Sequence, residues 1–227
     1  AARAAGQRHG LQVGVIVAAS RLRHPLDARA LARLAARYAG EGAGQVVGFG
    51  LNNNERHGVT AEWEGAFRIA RAAGLRAVPH AGELLGPDAV RATLDHLRPD
   101  RIGHGVRAAE DPALVEKIAA LGVPLEVCPT SNVHLGVFAD AASVPLRRLL
   151  DAGVRIALGA DDPLLFLTRL NDQYRIARDL HGCSDAELAA LGRASIGASF
   201  APDADKARWC AEVDAWLAAP EPGTDAP

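Results

Sequence analysis

Short apolar runs rich in β-branched residues alternate with amphipathic helical patterns, and this alternation limits the possible fold more than any other feature. The runs lie at 11–18, 46–51, 77–79, 101–103, 124–127 and 154–158. Consecutive strand–helix units with short connections predict a parallel β-sheet. Acidic residues or proline near the starts of the intervening segments, and glycine at several of their ends, predict helices. The predicted helices are 26–38, 60–73, 87–97, 112–121, 144–150, 164–180, 184–191, 194–200 and 203–217.

Two architectures share this alternation, a doubly wound open sheet and a (β/α)8 TIM barrel. The polar residues at the predicted strand ends favour the barrel. His80, His104 and Asp161 follow three runs far apart in sequence, and a barrel brings the carboxyl ends of its strands to one mouth. An open sheet usually places a Gly-rich phosphate loop at its switch point, and neither G-x-G-x-x-G nor a Walker A pattern occurs here. We therefore predict an α/β fold, a barrel with six of its eight βα units present, followed by C-terminal helices.

The composition predicts one domain and a small-molecule substrate. The chain has 227 residues, 49% of them hydrophobic, which is enough for one large core. A net charge of −2 without a basic stripe argues against nucleic acid as a partner, and no stretch predicts a membrane span or a signal peptide. The three cysteines form neither a CxxC pair nor a disulfide framework, which predicts a cytoplasmic protein. We assign residues 1–217 to the barrel and expect the Pro-rich residues 218–227 to be disordered.

The adjacent acids Asp161 and Asp162 follow the last apolar run, and their position predicts a metal site. Two neighbouring carboxylates at the end of a buried strand repel each other and lose solvation. A cation held by one and a reactant held by the other would remove that cost. The alternative is a helix N-cap, because Asp162 is followed by Pro163.

Two further runs also end in residues that bind metals or transfer protons. His80 is followed by Glu83 three positions later, and His104 ends the next run. A single histidine at such a position is more often structural, but three converging strand ends favour a catalytic site. Cys128 is predicted to be a packing residue, because nothing near it in sequence would lower its thiol pKa. Ser131 and Asn132 are candidates for lining the pocket, whereas Asn171 and Gln173 are predicted to lie on the surface.

Four motifs together resemble the adenosine deaminase family of zinc-dependent aminopurine hydrolases in the amidohydrolase superfamily. They occur in the family's order and spacing: His80-Ala-Gly-Glu83, Arg101-Ile-Gly-His104-Gly105, Glu126-Val-Cys-Pro-Thr-Ser-Asn132 and Gly159-Ala-Asp-Asp-Pro163. The resemblance extends from about residue 13 to 217. It implies a TIM barrel that removes ammonia from C6 of a purine by hydrolysis.

The resemblance also implies a role for each matched residue. His80 and Asp161 correspond to zinc ligands, and Glu83 to the group that protonates the purine ring. His104 corresponds to the residue that orients the attacking water. Asp162 corresponds to the residue that binds this water and N7 of the base, and Gly82 to a residue of the substrate site.

The chain departs from the family pattern at its beginning. Family members carry a His-x-His pair on the first barrel strand, and this chain has no such pair. The resemblance therefore implies one zinc ion per subunit with two further ligands upstream of Ala1. We expect the segment alone to be inactive, since catalytic zinc usually takes three protein ligands.

A second departure concerns the substrate. Family members commonly have Ala-Gly-Asp-Glu in the loop that reaches the purine, whereas this chain has Asn52-Asn53-Asn54-Glu55. Asn53 thus occupies a substrate-binding position that is usually glycine. Adenosine or a related 6-aminopurine nucleoside is the first expectation. Adenine is an alternative, as is 6-aminodeoxyfutalosine, a menaquinone precursor, because this loop resembles that of relatives that deaminate it.

The sequence is also compatible with two other functions. One is an amidohydrolase that acts on an amide or an ester, which would not need an acid at Glu83 to protonate a ring nitrogen. The other is a non-catalytic barrel without a metal, which would be expected to have lost at least one of the five matched polar residues.

Overall fold

Six parallel strands pair in the order in which they occur along the chain, as repeated strand–helix units require. The computed structural model describes residues 2–10, 12–40 and 44–219. The predicted tail at 218–227 lies outside these residues from position 220 onward. The strands are β1 (Val15–Ser20), β2 (Val46–Asn52), β3 (Arg76–Ala81), β4 (Ile102–His104), β5 (Leu125–Val127) and β6 (Ile156–Leu158).

Helices connect the strands and continue after the last one. The α-helices are α1 (Ala2–His9), α2 (Pro25–Ala36), α3 (Glu64–Ala72), α4 (Pro87–Ala92), α5 (Pro112–Leu121), α6 (Pro129–His134), α7 (Leu146–Asp151), α8 (Leu170–Asp179), α9 (Asp185–Ala198) and α10 (Asp203–Ala218). Short 3-10 helices form at Thr60–Trp63, Val106–Glu110 and Ala141–Ser143, and α4 continues into a π-helical turn at Thr93–Leu97. In the described part of the chain, no helix is both long and apolar enough to cross a bilayer. The parallel sheet with alternating helices confirms the predicted fold class.

The register of the sheet places the ends of β3 and β4 side by side. His80 pairs with Gly103, and Ala81 pairs with His104. Because all neighbouring strands are parallel, the residues that follow β3, β4, β5 and β6 emerge at one edge. Most of the predicted site residues lie at or just after the carboxyl ends of these strands, so the fold alone brings them to the same edge.

Two clusters of buried side chains support the sheet. One, around Phe49, Trp63 and Phe67, packs α2 and α3 against β1, β2 and β3. The other, around Ile102, Leu125 and Ile156, packs α5, α7 and α9 against β4, β5 and β6. The second cluster lies under the strands whose ends carry His104 and Asp161, so its packing fixes the spacing of those ends.

The structure corrects several predicted boundaries. The first strand begins at Val15 rather than 11, and Leu11 lies outside the described residues. The predicted helices 184–191 and 194–200 form the single helix α9, which includes Gly192 and Gly197. The predicted helix 164–180 begins only at Leu170, because residues 163–167 form turns and Leu167 has a left-handed φ of 49°. Helix α6 was not predicted, and its start follows Pro129.

We expect Leu125→Ala to destabilise the fold by about 2–5 kcal/mol, because it removes a buried side chain from the second cluster. Leu121→Ala is the matched control, since Leu121 ends α5 with 57% of its surface exposed. Urea unfolding monitored by circular dichroism measures both variants. Equal loss of unfolding free energy in the two would contradict the packing described here.

Candidate functional site

A cavity of about 230 Å³ lies at the carboxyl edge of β3, β4, β5 and β6. Its wall combines polar groups with the small residues that make room for them. The lining residues are His80, Gly103, His104, Glu126, Cys128, Ala157, Leu158, Gly159 and Asp161. Three residues that the sequence predicts to act together, His80, His104 and Asp161, therefore share one cavity.

His80 is the residue before the last one of β3, and its ring lies over the neighbouring strand. A side chain at Gly103 would have its Cβ 2.3 Å from His80 Cδ2, so only glycine leaves space for this ring. The rings of His80 and His104 meet nearly at right angles, with their centroids 5.0 Å apart. Burial lowers the pKa of His80, and the negative charges of Glu126 and Asp161 oppose that shift. The ring is thus held neutral, the form that binds metals.

His104 lies against the acid groups of the cavity. Asn132 Nδ2 lies 3.4 Å from His104 Nδ1. Burial, together with the nearby His80, lowers the pKa of His104 to about 3, so the ring is neutral. Its Nε2 faces Glu83 Oε1 at 3.4 Å and Asp161 Oδ2 at 3.9 Å. The histidine therefore presents a neutral imidazole to the cavity.

Glu83 is a buried carboxyl group with an available oxygen. Its side chain is 11% exposed, and Oε1 forms no hydrogen bond within the described part of the chain. The contact with His104 is therefore not an aligned hydrogen bond, nor an ion pair, because the imidazole is neutral. Burial, with the charges of Asp161 and Glu55, raises the pKa of Glu83 to about 7. The group can hold a proton at neutral pH and release it to a base.

Asp161 is oriented by Ser131. The Ser131 hydroxyl, which is fully buried, donates a hydrogen bond of 2.7 Å to Asp161 Oδ2. This bond fixes the carboxylate at the cavity while leaving its other oxygen available.

Two polar residues of the cavity wall have an unusual backbone conformation. His104 has φ +62° and Asp161 has φ +56°, in the left-handed region that side chains disfavour. Such conformations persist where the surrounding structure imposes them, and they concentrate at functional sites. Here they turn the chain sharply at the strand ends, so that both side chains face the cavity.

The cavity contains groups that could hold a metal ion. Potential ligand atoms of His80, Glu83 and His104 lie within 4.8 Å of one another, and so do those of His104, Cys128 and Asp161. Imidazole nitrogen and carboxylate oxygen are donors that zinc binds in proteins. Burial raises the pKa of the Cys128 thiol, so it stays protonated at neutral pH, in agreement with a packing role.

The other predicted site residues lie around this cluster. Gly82 has φ +68° between β3 and Glu83, and a Cβ there would come within 2.3 Å of Val90 Cγ2. Asp162 is solvent-exposed in the turn after Asp161. Asn53 is also exposed, and its side-chain amide donates a 2.9 Å hydrogen bond to Ser20 Oγ at the end of β1.

Sequence reasoning was wrong about one residue and missed another. Gln173 is fully buried rather than on the surface, because its amide bonds Thr130 and Thr168 and ties α8 to α6. In the sequence Glu55 stands out only as the last residue of the Asn52–Glu55 loop, but its buried carboxylate accepts four main-chain hydrogen bonds from the segment that carries Glu83. The available signal for Glu55 was weak, since its partners are N–H groups that every residue except proline has.

A larger cavity of about 700 Å³ lies between α8, α9 and α10. Its wall includes Tyr174, Trp209 and Trp216 and none of the predicted site residues, all of which the structure describes. We identify the smaller cavity as the candidate active site because several polar side chains meet there, although its volume is the smaller of the two.

Comparison with known proteins identifies the family of this chain. The adenosine deaminase family model matches residues 1–216. A protein of Streptomyces coelicolor named as an adenosine/adenine deaminase is 58% identical over 92% of this chain and 60% of its own length. An adenine deaminase of Rhizobium johnstonii is 46% identical over 88% of this chain and 62% of its own length. The chain thus spans about 60% of the length of these curated relatives.

Solved structures of deaminases and related amidohydrolases superpose on this chain. The adenine deaminase of Arthrobacter aurescens superposes with a TM-score of 0.88 at 33% identity, over 96% of this chain and 65% of its own. An amidohydrolase of Burkholderia ambifaria with bound zinc superposes with a TM-score of 0.86 at 25% identity, over 95% of this chain and 60% of its own. The strand order and these superpositions show part of a (β/α)8 barrel. The chain belongs to the adenosine deaminase family.

Proposed function

We propose that this chain forms most of the active site of a zinc-dependent hydrolase that converts a 6-aminopurine to the 6-oxo product and releases ammonia. The observation that carries the proposal is that His80, His104 and Asp161 line one cavity and that His104 Nε2 lies 3.4 Å from Glu83 Oε1. A neutral imidazole, an oriented carboxylate and a second carboxyl group with a free oxygen are the groups that this reaction needs. The family match supports the same reaction class.

His80 and Asp161 would hold the zinc ion. The His80 ring is kept neutral by burial, and the Asp161 carboxylate is fixed by Ser131, so both donors are prepared for a divalent cation. A structural relative contains zinc. When bound, zinc would supply Lewis-acid chemistry that lowers the pKa of a water molecule towards ~7.

The chain's own residues would supply the remaining steps. Glu83, with its raised pKa, would give a proton to ring N1 and so make C6 more electrophilic. His104 would orient the attacking water through Nε2. Asp162 would hold the water and N7, and Gly82 would let the main chain lie close to the base. The water would add its oxygen to C6. One of its protons would reach the amino nitrogen, which would leave C6 as ammonia, and the other would restore the proton that Glu83 gives to N1.

Adenine is the substrate that we propose to test first. The most similar proteins described above are named adenine or adenosine/adenine deaminases. Asn53 would contribute to the substrate site through the loop that its bond to Ser20 holds in place. Adenosine and 6-aminodeoxyfutalosine would be the alternatives.

The test is ammonia release by the complete gene product from adenine, adenosine and 6-aminodeoxyfutalosine, assayed in parallel with metal analysis. We expect stoichiometric zinc and turnover of adenine. Protein that contains zinc but releases no ammonia from any of the three would refute an aminopurine deaminase. Folded protein that binds no zinc would instead favour a non-catalytic barrel.

The raised pKa of Glu83 predicts a specific pH dependence. A proton donor must be protonated, so kcat/KM should fall tenfold for each pH unit above about 7, the pKa of the buried carboxyl group. The raised pKa of Glu83 also makes the free energy of unfolding depend on pH. Because the folded chain favours the protonated carboxyl group, the stabilisation from Glu83 is fully present below pH 4.5 and is lost as the pH rises through about 7. A pH–rate profile checks the first statement, and activity that stays constant up to pH 9 would contradict it.

A further inference from the structure

Glu55 lies in the loop after β2, and its carboxylate is almost fully buried, with 3% of the residue exposed. Its Oε1 accepts a 2.6 Å hydrogen bond from the N–H of Gly82. Its Oε2 accepts bonds from the N–H groups of Glu83, Leu84 and Leu85 at 3.1, 2.8 and 2.9 Å. One side chain therefore binds four consecutive main-chain donors.

The four donors belong to the turn that presents Glu83. Gly82 begins this turn in a left-handed conformation, which directs the following N–H groups towards one point. The opposite side of the turn is held by Arg107, whose main-chain N–H donates to Gly82 O and whose Nη1 donates to Leu84 O. The main chain around Glu83 is thus fixed on both sides, while Glu83 Oε1 stays unbonded beside the cavity.

A second buried charged residue, Arg21, contacts the main chain at His80, two residues before Gly82. Arg21, at 4% exposure, donates from Nη2 to the carbonyl oxygen of His80 at 3.2 Å. Its guanidinium lies 5.4 Å from the centre of the Trp63 ring. Burial lowers the pKa of Arg21, and the negative charge of Glu55 opposes that shift. Arg21 and Glu55 thus hold the main chain on the two sides of Ala81, Arg21 through the carbonyl oxygen of His80 and Glu55 through the N–H of Gly82.

We propose that Glu55 is the positioning residue for Glu83: its carboxylate fixes the Gly82–Leu85 turn and so holds the Glu83 carboxyl group at the cavity. A carboxylate suits this task because its two oxygens offer about four acceptor sites. The amide of glutamine has one acceptor oxygen, and its NH2 group would face N–H donors. The catalytic consequence rests on the proposed function, in which Glu83 protonates the substrate, whereas the anchoring of the turn does not.

The decisive variant is Glu55→Gln, measured on the complete gene product with zinc bound. We expect kcat to fall by about 10²-fold, because small displacements of a catalytic group have effects of this size, while KM changes less than about threefold. Zinc content should stay the same. The matched control is Glu62→Gln, which removes a carboxylate that accepts a single main-chain bond, from Val59 at 2.9 Å, outside the turn. A kcat for Glu55→Gln within twofold of the wild type would overturn the proposal.

A double-mutant comparison separates positioning from general stability. If Glu55 acts through Glu83, Glu55→Gln should cost little further activity when it is introduced into Glu83→Gln. Equal losses in the two backgrounds would show that Glu55 acts independently of Glu83, and the proposal would fail.

Amide hydrogen exchange tests the anchoring without any assay of deamination. In the wild type, the N–H groups of Gly82–Leu85 should exchange slowly, and Glu55→Gln should accelerate them at least about tenfold, with β3 unchanged. Rapid exchange of these amides in the wild type would overturn the proposal even if the variant did not fold. Slow exchange in a wild type that releases no ammonia would refute the proposed function and leave the anchoring intact.

Discussion

Glu83→Gln should reduce ammonia release by at least about 10²-fold while zinc binding is retained. The amide has nearly the same shape as the carboxyl group but cannot give a proton to the purine ring at neutral pH. The variant keeps the main-chain bonds to Glu55, because these involve the N–H of residue 83 rather than its side chain. Steady-state kinetics and zinc analysis of the same samples measure the two effects.

The control for this variant is Glu116→Gln, an exposed position on α5 where the same chemical change should leave turnover unaffected. The pH dependence gives a second criterion. The decline above about pH 7 should disappear from the residual activity of Glu83→Gln, since the titrating group is gone. Near-normal turnover by this variant would remove Glu83 from the mechanism.

Asp161→Asn should reduce zinc binding and Asp162→Asn should reduce turnover, although the two residues are adjacent. Asp161 lies in the cavity wall with Ser131 donating to its carboxylate, so its loss should weaken zinc binding by at least about 10²-fold. Asp162→Asn should keep the metal and lose turnover, because we assign Asp162 to the water and the base. Zinc titration with a competing chelator, together with kinetics, distinguishes the two variants.

Ser131→Ala provides the intermediate case. It removes the 2.7 Å bond that orients Asp161 but leaves the carboxylate, so zinc affinity should fall by about 10–100-fold. If Asp161→Asn retained full zinc affinity, or if Asp162→Asn lost the metal instead, the assignment of ligand and catalytic residue would be wrong.

The strand order and the edge that carries the site could be predicted from sequence because both depend on a local pattern. Apolar runs separated by helical segments require parallel pairing, and parallel pairing brings strand ends to one edge. His80, His104 and Asp161 were therefore predictable as neighbours in space, and the cavity confirms that they converge.

Interactions that depend on tertiary contacts could not be predicted in this way. Gln173 has the polarity of a surface residue, but α8 packs so that its amide reaches Thr130, which is 43 residues away. Residues 163–167 have an apolar pattern that resembles a helix, yet Leu164 and Leu167 are exposed at 94% and 91% and form turns. Glu55 binds main-chain groups 27–30 residues away, which leave no side-chain pattern to detect.

The positive φ angles of His104 and Asp161 have a consequence for protein engineering. Glycine adopts this conformation without steric penalty. At position 104 it would leave a cavity in place of a buried imidazole, whereas at position 161 the side chain is partly exposed. A library selected only for heat resistance should therefore enrich glycine at position 161 and lose the carboxylate there, so such a selection has to be coupled to a turnover screen.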